Sequence, residues 1–174
     1  MSLKYYHILG AIFTIVLGTL LHFTYQWSGK NNLVAIFSAV NESTFEHLKL
    51  LFTPMLIFSI FEYFLYGKNI VNFVPVKLLS ILLGIFVIIT SFYTYVGIIG
   101  NHFLIADIGT FILGVLVAYY FSFHFLQTNC FYSLISIRLG WIGIIILTYC
   151  FFIFTFYPPH IGLFLDPVSK TYGK

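Results

Sequence analysis

Five long apolar runs, separated by short polar stretches, divide the sequence. They occupy residues 5–25, 45–66, 76–99, 103–125 and 134–157. A helix needs roughly 20 apolar residues to cross the hydrocarbon core of a bilayer, and each run reaches that length. The pattern therefore predicts an all-α integral membrane protein with five transmembrane helices in one bundle. Because no linker, low-complexity segment or internal repeat interrupts the pattern, we expect residues 1–174 to form a single membrane domain.

Small residues within two of these runs indicate where helices approach one another. Gly10, Thr14 and Gly18 recur every four residues, and the next position of that stripe is His22. A second stripe of the same period consists of Ala106, Thr110, Gly114, Ala118 and Ser122. Small side chains let membrane helices pack closely, so we expect both faces to make close contacts, the two packing on each other as one arrangement. His22 would then point into the bundle. The alternative is that such residues are simply common in membrane helices.

Two prolines mark positions along the second and third runs. Pro54 lies inside the second run, where it removes a backbone donor and should kink the helix. Pro75 lies just ahead of the third run, where proline suits a helix start.

The composition supports a membrane environment and excludes some classes of partner. The chain is 60% hydrophobic and only 7% charged, more apolar than a water-soluble domain of this length can bury, so the lipid bilayer is its expected partner. The net charge of +3 is scattered, with no basic run, which predicts no nucleic-acid partner. Cys130 and Cys150 have no spacing typical of a disulfide or a metal site.

The densest polar segment lies at the start of the second run. Its polar residues are Asn41, Glu42, Ser43, Thr44, Glu46, His47 and Lys49. A capping box, in which Ser43 caps the helix and Glu46 reaches back, would explain part of it, together with an ion pair between Glu46 and Lys49. Neither explains Asn41, Glu42 or His47, so the segment is also a candidate site.

An odd number of crossings brings distant polar residues to one membrane face. With five spans, the loops after the first and third spans and the segment after the fifth lie on the same side. Eight of the eleven histidines and acidic residues fall on that side: His22, Glu42, Glu46, His47, His102, Asp107, His160 and Asp166. Ionisable groups at a membrane are costly unless they are paired or functional, so this convergence predicts a His/carboxylate pocket at one membrane face.

A divalent metal such as zinc is the cofactor that this pocket favours. Zinc binds imidazole and carboxylate groups, and a catalytic zinc has three protein ligands and an open position. The candidate metal ligands are His22, His47, His102 and His160. Glu42, Glu46 and Asp107 are candidates for a ligand, a general base or a partner of a ligand, and Ser43 adds a hydroxyl. Candidates for binding a small amphiphilic or polar ligand are Asn41, Lys49, Asn101 and Asp166. The chain has no His-Glu-x-x-His or His-x-x-x-His motif, so the hypothesis depends on convergence alone.

The opposite end of the bundle is plainer. Glu62 lies near the far end of the second span, roughly 24 Å along a helix from Glu46. A structural ion pair with Lys68 or Arg138 is one interpretation, and a separate proton or solute group is the other. Lysine and arginine are equally numerous at the two ends. Discounting Lys49 and Lys174 favours an amino terminus in the cytoplasm and a site that faces outward from the cell membrane.

Residues 157–167, after the fifth run, are apolar but too rich in proline to continue the helix. We expect this segment to fold back over the mouth of the bundle, with His160 and Asp166 facing inward. The alternative is an interfacial skirt among the lipid head groups.

Several motifs together resemble a family of small bacterial multi-pass membrane proteins of unknown function. They are W-S-G-x-N at 27–31, N-E-S-x-x-E-H-x-K at 41–49, and the P-P-H and D-P pairs of the last segment. The resemblance covers essentially the whole chain and implies no established activity. Ser43-x-x-x-His47 also resembles the first motif of the membrane hydrolase superfamily that includes alkaline ceramidases, but the seven spans and late histidine pair of that superfamily are missing here.

Three functions fit these observations. The leading hypothesis is a metal-dependent hydrolase or transferase acting on an amphiphilic substrate. The second is a membrane protein that binds or transports a cation or small polar solute. The third is a structural membrane subunit whose polar residues only cap helices and form ion pairs.

Overall fold

The computed structural model describes residues 2–174, which form six α-helices and two short 3-10 turns. The helices are α1 (Leu3–Trp27), α2 (Asn32–Ala35), α3 (Thr44–Leu65), α4 (Phe73–Ile99), α5 (Leu104–Phe125) and α6 (Leu134–Phe156). The 3-10 turns are Gly67–Asn69 and Gly162–Phe164. The five α-helices other than α2 are long and apolar enough to span a membrane, which confirms the predicted all-α class and five candidate spans.

The helix bounds differ from the predicted ones by at most three residues. The largest difference is at α4, which begins at Phe73 and takes Pro75 into its first turn. Proline is tolerated there because the first amides of a helix have no partner within it. Pro75 therefore lies at the helix start as predicted, but inside the first turn and not ahead of it.

Four of the long helices form a ring. α1 packs against α3 and α5, and α4 also packs against α3 and α5. α6 lies outside the ring against α4. Because α3 has the largest share of buried residues among the five spans, it is the helix most enclosed by the others.

The two stripes of small residues do make close contacts, but not with each other: the α1 stripe lies against α3 and against larger side chains of α5. A Cβ atom on Gly18 of α1 would collide with the backbone carbonyl oxygen of Leu50 in α3. A Cβ atom on Gly114 of α5 would lie 2.9 Å from the carbonyl oxygen of Gly84 in α4. The arrangement in which the stripes pack on each other was therefore wrong.

We call the end of the bundle where α1, α4 and α6 end and α3 and α5 begin the bundle mouth. The loop between α1 and α3 folds into this end: Ala35, Ser38, Ala39 and Val40 are buried. The hydroxyl of Ser38 accepts a hydrogen bond from the backbone N–H of Tyr25, 3.1 Å away, which ties the loop to α1.

Residues 157–174, the carboxyl-terminal segment, fold back over the bundle mouth as expected. Phe164 is buried, and its ring lies 4.5 Å from the ring of Phe45 in the first turn of α3. A single antiparallel bridge joins Leu165 to Tyr172.

Candidate functional site

Two histidines and one glutamate meet at the bundle mouth. His22 is near the end of α1, Glu42 lies in the loop before α3, and His47 is in the first turn of α3. One ligand atom from each residue can be chosen so that all three lie within 4.8 Å of one another. We call these residues the His22–Glu42–His47 cluster. Within residues 2–174, no other group of three or more histidine, cysteine, aspartate or glutamate side chains has ligand atoms this close together.

The carboxylate of Glu42 lies between the two imidazoles. Its Oε2 is 3.5 Å from Nε2 of His47, and its Oε1 is 3.9 Å from Nε2 of His22. The ring centroids of His22 and His47 are 5.2 Å apart. Two imidazoles and one carboxylate make a donor set that suits zinc and related divalent ions.

Local backbone geometry orients the residues of the cluster. Nδ1 of His47 lies 2.9 Å from the carbonyl oxygen of Ser43, to which it donates when that nitrogen carries the proton. In that tautomer, Nε2 has a free lone pair on the side of Glu42, as a metal ligand requires. Oδ1 of Asn41 accepts a hydrogen bond from the N–H of Ser43 at 2.9 Å, which fixes the turn that presents Glu42.

The cluster is open to its surroundings. The side chains of His22, His47 and Glu42 are 29%, 35% and 49% exposed. Nδ1 of His22 is nevertheless buried and has no hydrogen-bond partner within residues 2–174. A buried unpaired ring nitrogen is costly, so a water molecule or an ion beside His22 would stabilise the site.

Glu46 and Lys49, by contrast, form a closed ion pair beneath the mouth. Their side chains are 2% and 0% exposed, and Nζ of Lys49 lies 2.5 Å from Oε2 of Glu46. Nζ also donates to the carbonyl oxygen of Ala35 and the hydroxyl of Thr155, each at 2.9 Å. The pair thus joins α3 to α2 and α6, and Lys49 has no donor left for a ligand.

The capping box forms only in part. The hydroxyl of Ser43 accepts from the N–H of Glu46 at 3.4 Å, as predicted. The carboxylate of Glu46, however, accepts from the N–H of Val40 at 3.0 Å and does not reach back to Ser43, whose N–H is held by Asn41. Oε1 of Glu46 has no partner within the described chain.

His102 and Asp107 form a separate pair at the junction of α4 and α5. Nδ1 of His102 lies 3.1 Å from Oδ2 of Asp107. The hydroxyl of Tyr95 in α4 donates to the other oxygen of Asp107. Asn101 accepts from the N–H of His102 through its own side chain. These partners hold the pair at the outer edge of the bundle, where the His102 side chain is 61% exposed.

His160 and Asp166 both organise the carboxyl-terminal segment. The ring of His160 stacks on that of Tyr172 with centroids 4.5 Å apart, and His160 is exposed, so the expectation that it faces inward was wrong. Asp166 accepts from the N–H of Val168 at 2.8 Å and from the hydroxyl of Ser169 at 2.6 Å. Partial burial opposes the charge of Asp166, but these hydrogen bonds outweigh it and hold the pKa of Asp166 below its ordinary value. The structure therefore brings together two of the four candidate histidine ligands and gives His102 and His160 other partners.

A second buried ion pair lies at the opposite end of α3. Oε2 of Glu62 is 2.5 Å from Nζ of Lys77, and both side chains are almost completely buried. The hydroxyl of Tyr66 donates to the other oxygen of Glu62 at 2.5 Å. The expected partners, Lys68 and Arg138, were wrong: both are exposed, whereas Lys77 near the start of α4 faces Glu62 inside the bundle.

Histidine is also used structurally at this end. Nε2 of His7 lies 2.9 Å from the hydroxyl of Ser122, which links α1 to α5. His124 is exposed on the surface of α5.

Sequence reasoning missed several residues that complete these networks. Tyr66 is four residues after Glu62, a spacing that places both on one helix face and could have indicated the contact. Lys77, Tyr95 and Thr155 are distant in sequence from the residues that they bind, and no local motif marks them.

Comparison with known proteins gives a family but no activity. No curated protein and no solved structure matches the sequence significantly. One family model, described as a family of unknown function (DUF6512), matches residues 1–174. The match covers the described bundle and the whole His22–Glu42–His47 cluster. The chain therefore belongs to the family of unknown function DUF6512.

Proposed function

We propose that this protein is a divalent-metal-dependent membrane hydrolase or transferase that acts on an amphiphilic substrate. His22, Glu42 and His47 hold the metal. The observation that carries the proposal is the proximity of three ligand atoms, from α1, the loop before α3 and α3 itself, within 4.8 Å of one another. Three protein ligands at a partly exposed site leave room for water or substrate on the ion. A metal bound there would activate water or polarise a substrate oxygen.

Other polar residues of the mouth support the site in this proposal. Glu46 and Lys49 hold the loop, α3 and α6 together, and Ser43 orients His47 through its backbone carbonyl. Asp107 orients His102 outside the cluster. We therefore assign metal binding to His22, Glu42 and His47. Glu46 and Lys49 hold the surrounding helices and loop in place.

The position of the cluster along α1 supports an amphiphilic substrate. Trp27 is 69% exposed and stacks on Phe23, and tryptophan is enriched at the membrane–water interface. His22 precedes Trp27 by five residues, or about 7.5 Å along the helix. A site at this depth meets the head groups and the start of the acyl chains, where an amphiphile presents its polar bonds. We place this face on the outer side of the cell membrane.

Metal analysis of the purified chain in detergent tests the proposal. The protein is stripped with a chelator and titrated with zinc, manganese, iron(II) and cobalt(II). We expect one tight divalent site that is lost in His22→Ala and in His47→Ala. His124→Ala is the matched control, because His124 is exposed at the opposite end, and it should bind metal as the parent does. Absence of a metal site in the parent, or its survival in both His22→Ala and His47→Ala, contradicts the proposal.

Activity assays then test the substrate class. Metal-loaded protein in vesicles is given long-chain and short-chain esters, amides and phosphate esters of the same reacting group. We expect turnover of the membrane-inserted compounds that disappears on chelation and in Glu42→Gln. Turnover of only the water-soluble short-chain compounds would contradict an amphiphilic substrate.

A further inference from the structure

We infer that the carboxyl-terminal segment contributes to metal binding at the proposed site, because it positions Glu42 through Asn41. This inference rests on the proposed metal site. Docking of the segment and binding of the metal are then coupled, so that each strengthens the other. Asn41 and Gly173 are positioning residues, and neither touches the ion.

Asn41 connects the segment to the ligand-bearing turn. Its Nδ2 donates to the carbonyl oxygen of Gly173 at 2.9 Å, and its Oδ1 accepts from the N–H of Ser43 at 2.9 Å. Glu42 lies between Asn41 and Ser43, in the turn that the second of these hydrogen bonds closes. Loss of the contact with Gly173 would free the Asn41 side chain and, with it, the direction of Glu42.

The end of the segment is fitted tightly into its place. Gly173 has a φ of +68°, which favours glycine, and a Cβ atom there would lie 2.8 Å from Cδ of Pro158. The next residue, Lys174, donates its backbone N–H to the carbonyl oxygen of Thr155 at 3.0 Å. The hydroxyl of Thr155 accepts a hydrogen bond from Lys49, so Thr155 connects the end of the segment to the buried Glu46–Lys49 pair.

A second contact lies on the other side of Glu42. Phe164 packs on Phe45 at 4.5 Å and on Phe154 of α6 at 5.4 Å between ring centroids. The segment therefore contacts the chain on both sides of residues 42–44, with Gly173 at Asn41 and Phe164 at Phe45. These two contacts restrain the loop that carries one ligand of the cluster, whereas His22 and His47 are on helices.

Coupling of this kind is reciprocal by thermodynamic linkage. If a docked segment increases metal affinity by some factor, bound metal must favour the docked segment by the same factor. Partners that orient a metal ligand typically change affinity by roughly 10- to 100-fold when they are removed.

Two glycine substitutions in the same segment test the inference. Gly173→Ala introduces a strained φ and a collision with Pro158, whereas Gly162→Ala adds a Cβ that meets nothing within 4 Å. We expect zinc affinity to fall roughly 10-fold or more in Gly173→Ala and to stay at the parent value in Gly162→Ala. Zinc affinity in Gly173→Ala equal to that of the parent would overturn the inference.

Proteolysis measures the reverse direction of the coupling. Lys170 is exposed and offers trypsin a site within the segment. We expect saturating zinc to slow cleavage after Lys170 in the parent and in Gly162→Ala, and to slow it less in Gly173→Ala. If the parent binds zinc but its cleavage after Lys170 does not depend on zinc, the coupling is overturned and the proposed metal site stands. A parent that binds no zinc would instead refute the proposed function.

Discussion

At the scale of single residues, burial decides how the charged groups of this protein are used. Lys49 and Lys77 are each buried against a glutamate at 2.5 Å, whereas Glu42 is half-exposed between two imidazoles. Taking a charge out of water costs free energy that only a close partner offsets. The two buried pairs are therefore held in place, whereas Glu42 stays accessible between its two imidazoles.

The Glu62–Lys77 pair gives the first prediction at this scale. Glu62→Gln should lower the free energy of unfolding by about 3–5 kcal/mol, because it leaves Lys77 buried without a counter-charge. The double variant Glu62→Gln with Lys77→Met should recover much of that loss. Thermal unfolding in detergent measures both, with Lys68→Met, at an exposed position, as the control. A Glu62→Gln variant as stable as the parent would show that the pair is not structural.

Asp166 gives a prediction of pH dependence. Its pKa is lower in the folded protein than in the unfolded chain, so it stabilises the fold above the unfolded value of about 4. That contribution is lost as the pH falls through the lowered folded value. We expect Asp166→Asn to be less stable than the parent at pH 7 and the difference to shrink below about pH 4. Melting temperatures measured from pH 7 to pH 3 test this, and a difference that grows on acidification would contradict it.

The sequence predicts which end of the bundle carries the candidate site better than it predicts which residues form the site. Counting spans places His22, His47, His102 and His160 on one side, and the fold keeps them there. Which of them meet depends on short-range partners: Asp107 binds His102 five residues away, and Tyr172 stacks on His160. These contacts form between side chains in or next to loops at the mouth, and no periodicity in the sequence indicates them.

At the scale of helices, α3 carries most of the polar chemistry. It holds His47 and the Glu46–Lys49 pair at the mouth and Glu62 at the far end. Its position inside the bundle makes this arrangement workable, since neighbouring helices supply the partners: Thr155 from α6 and Lys77 from α4. The packing of α1 on α3 sets the distance between His22 and His47.

Gly18 gives a prediction for that packing. A Cβ atom in Gly18→Ala would collide with the backbone of Leu50, so α1 must move away from α3 at a cost of roughly 1–3 kcal/mol. The same shift should separate His22 from His47 and weaken metal binding. Gly109→Ala in α5 is the matched control, because a Cβ atom there meets nothing within 4 Å. Equal stability and metal affinity in the two variants would contradict this account of the contact.

The spans themselves were predictable because each apolar run has the length that a bilayer requires. The start of α4 was placed three residues too late, because Pro75 lies in the first turn of the helix and not ahead of it. Lys77 falls inside both the predicted and the observed helix, but the sequence does not show that its side chain faces Glu62 of α3. The packing of the small-residue stripes also depended on the order of helices around the ring, which no spacing along one helix determines.

At the scale of the whole molecule, the bundle has two unlike ends. The mouth carries the open cluster and the folded segment, whereas the far end carries a closed ion pair and the His7–Ser122 contact. Once the buried lysines are removed from the count, three exposed positive charges lie at each end: Lys4, Lys68 and Arg138 at the far end, and Lys30, Lys170 and Lys174 at the mouth. The proposed outward placement of the mouth therefore depends on discounting Lys174.

Cysteine labelling of intact cells tests the membrane arrangement. Five spans place Cys130, in the exposed α5–α6 loop, and residue 30 on opposite sides. In a Cys150→Ser background, an impermeant maleimide should label Lys30→Cys from outside and should reach Cys130 only after permeabilisation. Labelling of both positions from one side would contradict the three crossings by α3, α4 and α5 that lie between them. The reverse pattern would place the cluster in the cytoplasm.

The most direct test of the central claim is X-ray absorption spectroscopy of the zinc-loaded protein. The His22–Glu42–His47 cluster predicts two imidazole nitrogens at about 2.0 Å together with oxygen ligands. His47→Ala should reduce the count to one imidazole, and His102→Ala and His160→Ala should leave it at two. A zinc ion held by three or four imidazoles, or by His102 or His160, would contradict the site that the structure presents.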